Sequence, residues 1–514
     1  MHTSQEPGAE ITSLERRLAL APDDPHLVLD LASLLLRSGQ PTRALALTKQ
    51  FIRQSPLTSA PHRRWLTQSG LCDWPAYRAS PSHAAHSQAL SIRCPPSVRW
   101  TWTPRQPHQA LCCAPVAAQG IALVVHTDQD TLGGFDPSPA RLTCIDLHTG
   151  SLRWVQKRTC FPACPVIDPS TRLALWSWLA RDDQGRTIPE FVGIHIDSGE
   201  VAWFTRGDPI HGYSPYDASP LLLSHGRLIA ASNGYRPGFR PDGGFLCVLD
   251  ARSGQLHEQL ALSGARTPAV NPRGDILFYN DDEHFYILPI DAISPKRLGH
   301  DPLSASLNIS PIIVGDAHSA WVLSEGERGA NLWHLDNGRR HPLWQLGADG
   351  SFAHAPCLDA ARDLLFVASS VSQARGDALL SEGHLLALDA RSGEPQQRRV
   401  DPWRPLSSPV LVEDVLYVCG ELSQRPVIGV VGALGEQLPP DLIGQVSLEE
   451  GRDYFQPLTT QRSLSAFDTR NGLEPLWRLP LPDHLSATIE PVPVGDMLLV
   501  QYGAGNVVAL SDSA

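Results

Sequence analysis

Ten cysteines make up the most reactive part of this chain, and two groups of them have a spacing that chemistry could use. Cys112 and Cys113 are adjacent in ALCCAPV, so they could close a vicinal disulfide or sit as two packed thiols. The run enters an apolar strand at once, which favours packing. Cys160 and Cys164 in CFPAC have a spacing seen at some zinc sites. A closed zinc site needs four ligands, however, and no second Cys/His pair lies near in sequence. Asp182 and Asp183 in ARDDQG, and Asp281 to His284 in DDEH, lack the ligand spacing of a calcium loop and read as solvated turns. The twenty histidines are dispersed, and no nucleophile elbow or phosphate-binding glycine loop occurs. The expectation is a chain with no catalytic, metal-binding or cofactor-binding constellation.

The elements that would position any site are announced by repetition. RLTCIDLHTGSLRW, ending at Trp154, reads as strand, tight turn and strand, and FVGIHIDSGEVAWF, GFLCVLDARSGQL, GHLLALDARSGEP and SLSAFDTRNGLEPLW follow the same plan. A proline opens a preceding apolar strand at Pro115, Pro165, Pro220, Pro268, Pro311, Pro356, Pro409 and Pro491, which counts eight units. Proline is tolerated there because the first residue of a strand need not donate to the ladder. The aspartates before the turns (Asp146, Asp197, Asp250, Asp336, Asp389, Asp468) can accept from backbone N–H groups two residues on. Tryptophans on the last strand (Trp154, Trp203, Trp344, Trp477) can fill the gap between neighbouring sheets. The pattern predicts a mainly β fold over residues 97–514: an eight-bladed β-propeller of four-stranded antiparallel blades. The eighth unit lacks an outer strand, and SVRWTWTP (97–104) is an orphan strand upstream; pairing the two closes the ring. The fourth unit, HFYILPIDAISPKRLG, has lost both turn and tryptophan.

Ahead of the β region, residues 8–56 carry helical periodicity, with Leu31, Leu34 and Leu35 on one face, a break at Gly39 and a restart at Pro41. Residues 57–96 are rich in Ser, Ala, Pro and His without sustained period, and read as a linker with a short helix near LTQSGLCDW. A net charge of -12 and the absence of any basic run argue against nucleic acid or an anionic membrane as partner. The start MHTSQEPGAEITSLERR has no basic n-region followed by an apolar core, and no apolar stretch is long enough to span a bilayer, so a cytoplasmic location with reduced cysteines is expected.

Two resemblances follow from these motifs. Leu31, Ala32, Gly39, Ala44 and Pro56 resemble one tetratricopeptide repeat, lacking most of its bulky aromatics. The Leu-x-Ala-x-Asp-x-x-x-Gly-x-x-x-x-Trp repeat resembles the quinoprotein alcohol dehydrogenase-like propellers, a family that includes pyrroloquinoline quinone (PQQ) dehydrogenases and outer-membrane assembly scaffolds. Such resemblance implies fold more than function, because members are both enzymes and pure binding proteins. Its enzymes bind quinone and calcium near the ring axis, and several carry a vicinal disulfide beside the quinone, which Cys112-Cys113 echoes without the Asp-rich continuation.

Insertions decorate one side of the repeat. DQDTLGGFDPSPA, NGYRPGFRPDGG, SQARGDALLSEG and a long segment from about Gly420 to Arg462 all fall between second and third strands. That loop emerges on the face of the blade-to-blade connections GDPIHGYSPYDASP and VDPWRPLSSP. The residues expected to meet a protein partner there are His211, Tyr213, Tyr216, Tyr235, Arg236, Phe239, Arg240, Trp403 and Arg404. The expectation is a non-catalytic cytoplasmic scaffold, one form of which is a subunit of a bacterial ATPase-associated assembly. The alternatives are a PQQ-dependent oxidoreductase and a propeller that binds a small molecule or carbohydrate.

Overall fold

The computed structural model describes the chain except residues 1–6, 57–58, 81, 105–108, 112, 129–137, 210–219, 233–243, 263–265, 281–284, 290–295, 299–307, 310–311, 316–318, 327–328, 337–338, 347–351, 376–377, 402, 427–458, 482–489, 503–504 and 513–514. Among the described residues, the strands form sheets of 11, 9, 5, 4, 4 and 4 strands; the two largest each join two neighbouring blades at their edges, so that the ring resolves into eight four-stranded antiparallel blades with a few short added strands. Blade 1 runs through Val116–Ala118, Ile121–Asp128, Ser138–Asp146 and Leu152–Pro162. The innermost strands of the next six blades are Val166–Asp168, Leu222–Ser224, Arg266–Val270, Ile313–Val314, Cys357–Asp359 and Val410–Val412. Blade 4 keeps four strands despite its divergent sequence. Blade 8 takes Val492–Val494, Met497–Tyr502 and Asn506–Asp512 from the far end of the chain and Pro96–Trp102 from the near end. The two ends pair antiparallel, Val98 opposite Leu510 and Trp102 opposite Val507, so the β region closes on itself as its sequence predicts.

The repeated motif locks each blade to the next. Asp146 Oδ1 accepts from the N–H groups of His148 and Thr149, both at 2.9 Å, and Asp250, Asp389 and Asp468 hold their own turns in the same way. The tryptophan of one blade then caps the turn of its neighbour. Trp154 Nε1 donates to the Ile196 carbonyl at 2.9 Å, Trp203 to Ala251 at 3.2 Å, and Trp100, on the closing strand, to Leu147 at 2.8 Å. Gly150 shows why the turn needs glycine: its φ is +70°, and a Cβ there would lie 2.7 Å from the Trp100 ring.

Four helices precede the ring: α1 (Pro7–Leu20), α2 (Pro25–Arg37), α3 (Pro41–Gln54) and α4 (Ala60–Gln68). Asp24 caps α2 by accepting from the N–H groups of His26 and Leu27. Leu31, Leu34 and Leu35 join Ile11, Leu14 and Ala44 in a core between the first three helices. The other side of the group packs on the tight-turn face of blades 7 and 8, where Leu45, Ile52 and Leu66 meet Val412, Tyr417 and Leu498. Lys49 Nζ bonds Glu413 at 2.8 Å and the Ala89 carbonyl at 3.0 Å, and Arg63 reaches Asp496 at 3.3 Å. None of the described helices is long and apolar enough to cross a membrane.

Candidate functional site

The segment read as a linker is buried in the ring. After α4, Gly495 N–H donates to the Cys72 carbonyl (3.2 Å), and Trp74 forms a two-way bridge with Ala117 at 2.6 and 2.7 Å. Pro75 then accepts from Ile167 N–H at 2.8 Å, Ser82 from Val314 at 3.0 Å, Ala84 from Leu358 at 2.9 Å and Ala85 from Leu411 at 3.0 Å. His86 and Ser87 add a short parallel strand to blade 7, and Leu90 N–H returns to the Gly495 carbonyl at 2.8 Å. All these partners lie on innermost strands or their turns, whose outward-facing edge is the axial channel. Residues 72–90 therefore pass round the inner wall from blade 8 by way of blades 1, 2, 5, 6 and 7 back to blade 8, folding into a hairpin where Ala85 N–H donates to the Arg78 carbonyl at 3.2 Å, and they satisfy ladder groups that an open channel would leave to water. This corrects the linker reading. The cause of the misreading is physical: the segment passes from one blade to another within a few residues, so no period of 2 or 3.6 marks it.

The tip of this hairpin lies beside the prolines that open the innermost strands, the end from which the blade-to-blade connections run. Its backbone is strained, with Arg78 at φ +54°, Ala79 at +73°, His83 at +56° and Ala85 at +52°. Arg78 is 1% exposed and donates through Nη2 to the carbonyls of Ala355 and Pro356. Burial, with Arg78 adding to it, pushes the His83 imidazole down to about 3, while its Nδ1 lies 3.1 Å from the Ile312 carbonyl. His354 is pushed down to about 4 by burial, with Arg404 and Arg78 also disfavouring its charge. Glu490 is shifted the other way, toward its neutral form, by burial, against the pull of Arg78 and a bond from Ser408. Tyr77 is raised by burial as well. The tip thus gathers one arginine, one reluctant carboxylate and two neutral imidazoles, a set suited to recognising a polar group.

Of the residues expected to face a partner, His211, Tyr213, Tyr216, Tyr235, Arg236, Phe239 and Arg240 lie outside the described residues. Trp403 and Arg404 are described, and Trp403 does not present itself to a partner as expected. Trp403 is 4% exposed, stacks 6.5 Å from Phe467, and fills the space over Gly420, where a Cβ would lie 2.2 Å from its ring. Arg404 is tied to Glu421, a carboxylate it shares with Arg462. An aromatic beside an arginine in a connection signalled a hot spot, whereas burial of the indole made it core.

Cys112 is not described; Cys113 is a free, half-buried thiol, pushed well up by its bond to Cys164 and by burial. Cys160 and Cys164 are both buried, and Cys164 Sγ lies 3.9 Å from the Ala114 carbonyl. Asp182 accepts from the Gln184 and Arg186 N–H groups in an exposed turn, as expected, while Asp281 to His284 lie outside the described residues. Among the described residues no three His, Cys, Asp or Glu side chains converge to hold a metal. The inner strands around the axis are paired with the chain's own residues between Trp74 and Ser87.

Fold and axis together define the class: a closed eight-bladed β-propeller with an internally filled channel. No protein-family model matches the chain, and no curated protein matches it by sequence. Among solved structures it is similar to a europium-containing methanol dehydrogenase, with a TM-score of 0.51 at 9% identity over 87% of this chain and 99% of that one. The computationally designed Ika8 protein (TM-score 0.44, 10% identity, 79% of this chain and 98% of that) and the WD40 domain of SCAP from fission yeast (0.41, 11%, 82% and 98%) are more distant. At such identity the likeness to the dehydrogenase establishes the fold alone.

Proposed function

We propose that the chain is a non-catalytic propeller scaffold that binds a protein partner through its loop-rich face, within a cytoplasmic multi-protein assembly. The observation that carries this reading is the filled axis. A propeller whose channel is occupied by its own residues 72–90 is left with its faces for recognition. Helices cover the tight-turn face over blades 7 and 8, and the sequence places its long insertions on the opposite face. Replacing Arg236, Phe239 and Arg240 together by alanine tests the reading. Affinity purification from the native cell should lose its co-purifying protein while the melting temperature stays nearly constant. Capture as strong as that of the unaltered protein would overturn it.

A further inference from the structure

Arg78 is buried at the tip of the axial segment, yet its hydrogen-bonding capacity is only partly used. Nη2 is engaged with the Ala355 and Pro356 carbonyls, whereas Nε and Nη1 are buried without a hydrogen-bond partner. A guanidinium cannot shed its proton to escape this situation, and leaving its donors empty at low dielectric is costly. The surrounding charge sharpens the point. His83 and His354 face Arg78 as neutral rings. Burial drives Glu490 toward its neutral form against the pull of Arg78. Two buried donors of one guanidinium thus lack acceptors at this point in the fold.

We propose that the loop-rich mouth of the axis holds a carboxylate site, in which Nε and Nη1 of Arg78 receive the ligand's oxygens. The ligand supplies the missing acceptors together with a charge opposite to that of the guanidinium. The carboxylate belongs either to a free small acid or to an Asp or Glu side chain of a docked protein. The inference goes beyond the scaffold reading and stands if that reading fails.

The full-length protein is titrated with sodium acetate, and separately with a blocked glutamate-containing hexapeptide, at ionic strength held constant with sodium chloride. The melting temperature should rise saturably, because a ligand bound only by the folded state stabilises it. A response to acetate assigns the free acid, and a response confined to the peptide assigns the side chain. Arg78→Lys, which keeps the charge but removes the planar fork, should weaken the apparent affinity at least tenfold. No saturable response to either probe, or an equal response in Arg78→Lys, overturns the proposal. Should that variant not fold, crystals of the unaltered protein soaked in acetate decide. Carboxylate density on Nε or Nη1 supports the site, and ordered water alone overturns it.

Discussion

Asp73 shows how the filled axis writes itself into single titrations. Burial pushes its carboxyl up to about 6, and the Gln119 N–H, 3.2 Å from Oδ2, only partly offsets the shift. The folded state therefore holds this proton longer than the unfolded chain does. The stability contributed is complete below the ordinary aspartate range and is lost as pH rises through about 6. Asp73→Asn keeps an acceptor for Gln119 without the charge. It should raise stability at pH 7 by roughly 1–2 kcal/mol, allowing for solvent screening, and change little at pH 4. Denaturant melts at the two pH values check this, and equal effects at both would refute it. His83 pulls in the opposite direction, because its folded pKa of about 3 makes the protein lose stability as pH falls below the free imidazole range. Neither shift was legible in the sequence. A histidine or aspartate in a Ser- and Pro-rich stretch looks solvated until the strands that surround it are in place.

The closing strand is the element on which blade-to-blade locking can be tested most sharply. Trp100 does for blade 1 what Trp154 does for blade 2, but its strand belongs to blade 8, whose other three strands come from the far end of the chain. Trp100→Ala removes a ring that is 8% exposed and its bond to Leu147, and should cost about 3–5 kcal/mol by chemical denaturation. Gly150→Ala tests the other half of the contact. Its positive φ and the clash with the Trp100 ring should cost on the order of 1–3 kcal/mol, and in a Trp100→Ala background the penalty should shrink because the clash is gone. Undiminished loss in the double variant would place the strain elsewhere. These elements were readable in advance because the Asp turn, the glycine and the tryptophan recur with the blade. Trp403 was misassigned for the converse reason: it sits in a connection, and its burial against Gly420 and Phe467 depends on packing that no local pattern carries.

At the scale of the molecule, the helices, the axial segment and the ring share one set of hydrogen bonds. Ala117, Ile167, Val314, Leu358 and Leu411, on the innermost strands of five blades, each donate an N–H to residues between Trp74 and Ala85. Deleting residues 1–95 should strip those partners away and yield a protein without a cooperative transition, because buried N–H groups would face an emptied channel. A folded, cooperatively melting truncation would show instead that the ring is self-sufficient. Blade count and closure were written in the repeats; the occupied axis was not, since a segment touching six blades in turn obeys no repeat. The pairing of Pro96 with Asp512 joins residues more than 400 positions apart, and it has a consequence in time. During synthesis the helices and the axial segment leave the ribosome first, yet the walls they line and the strand they fasten emerge last. The nascent chain must therefore carry its keystone unplaced until translation of the final blade, and chaperones have that whole interval in which to hold or lose it.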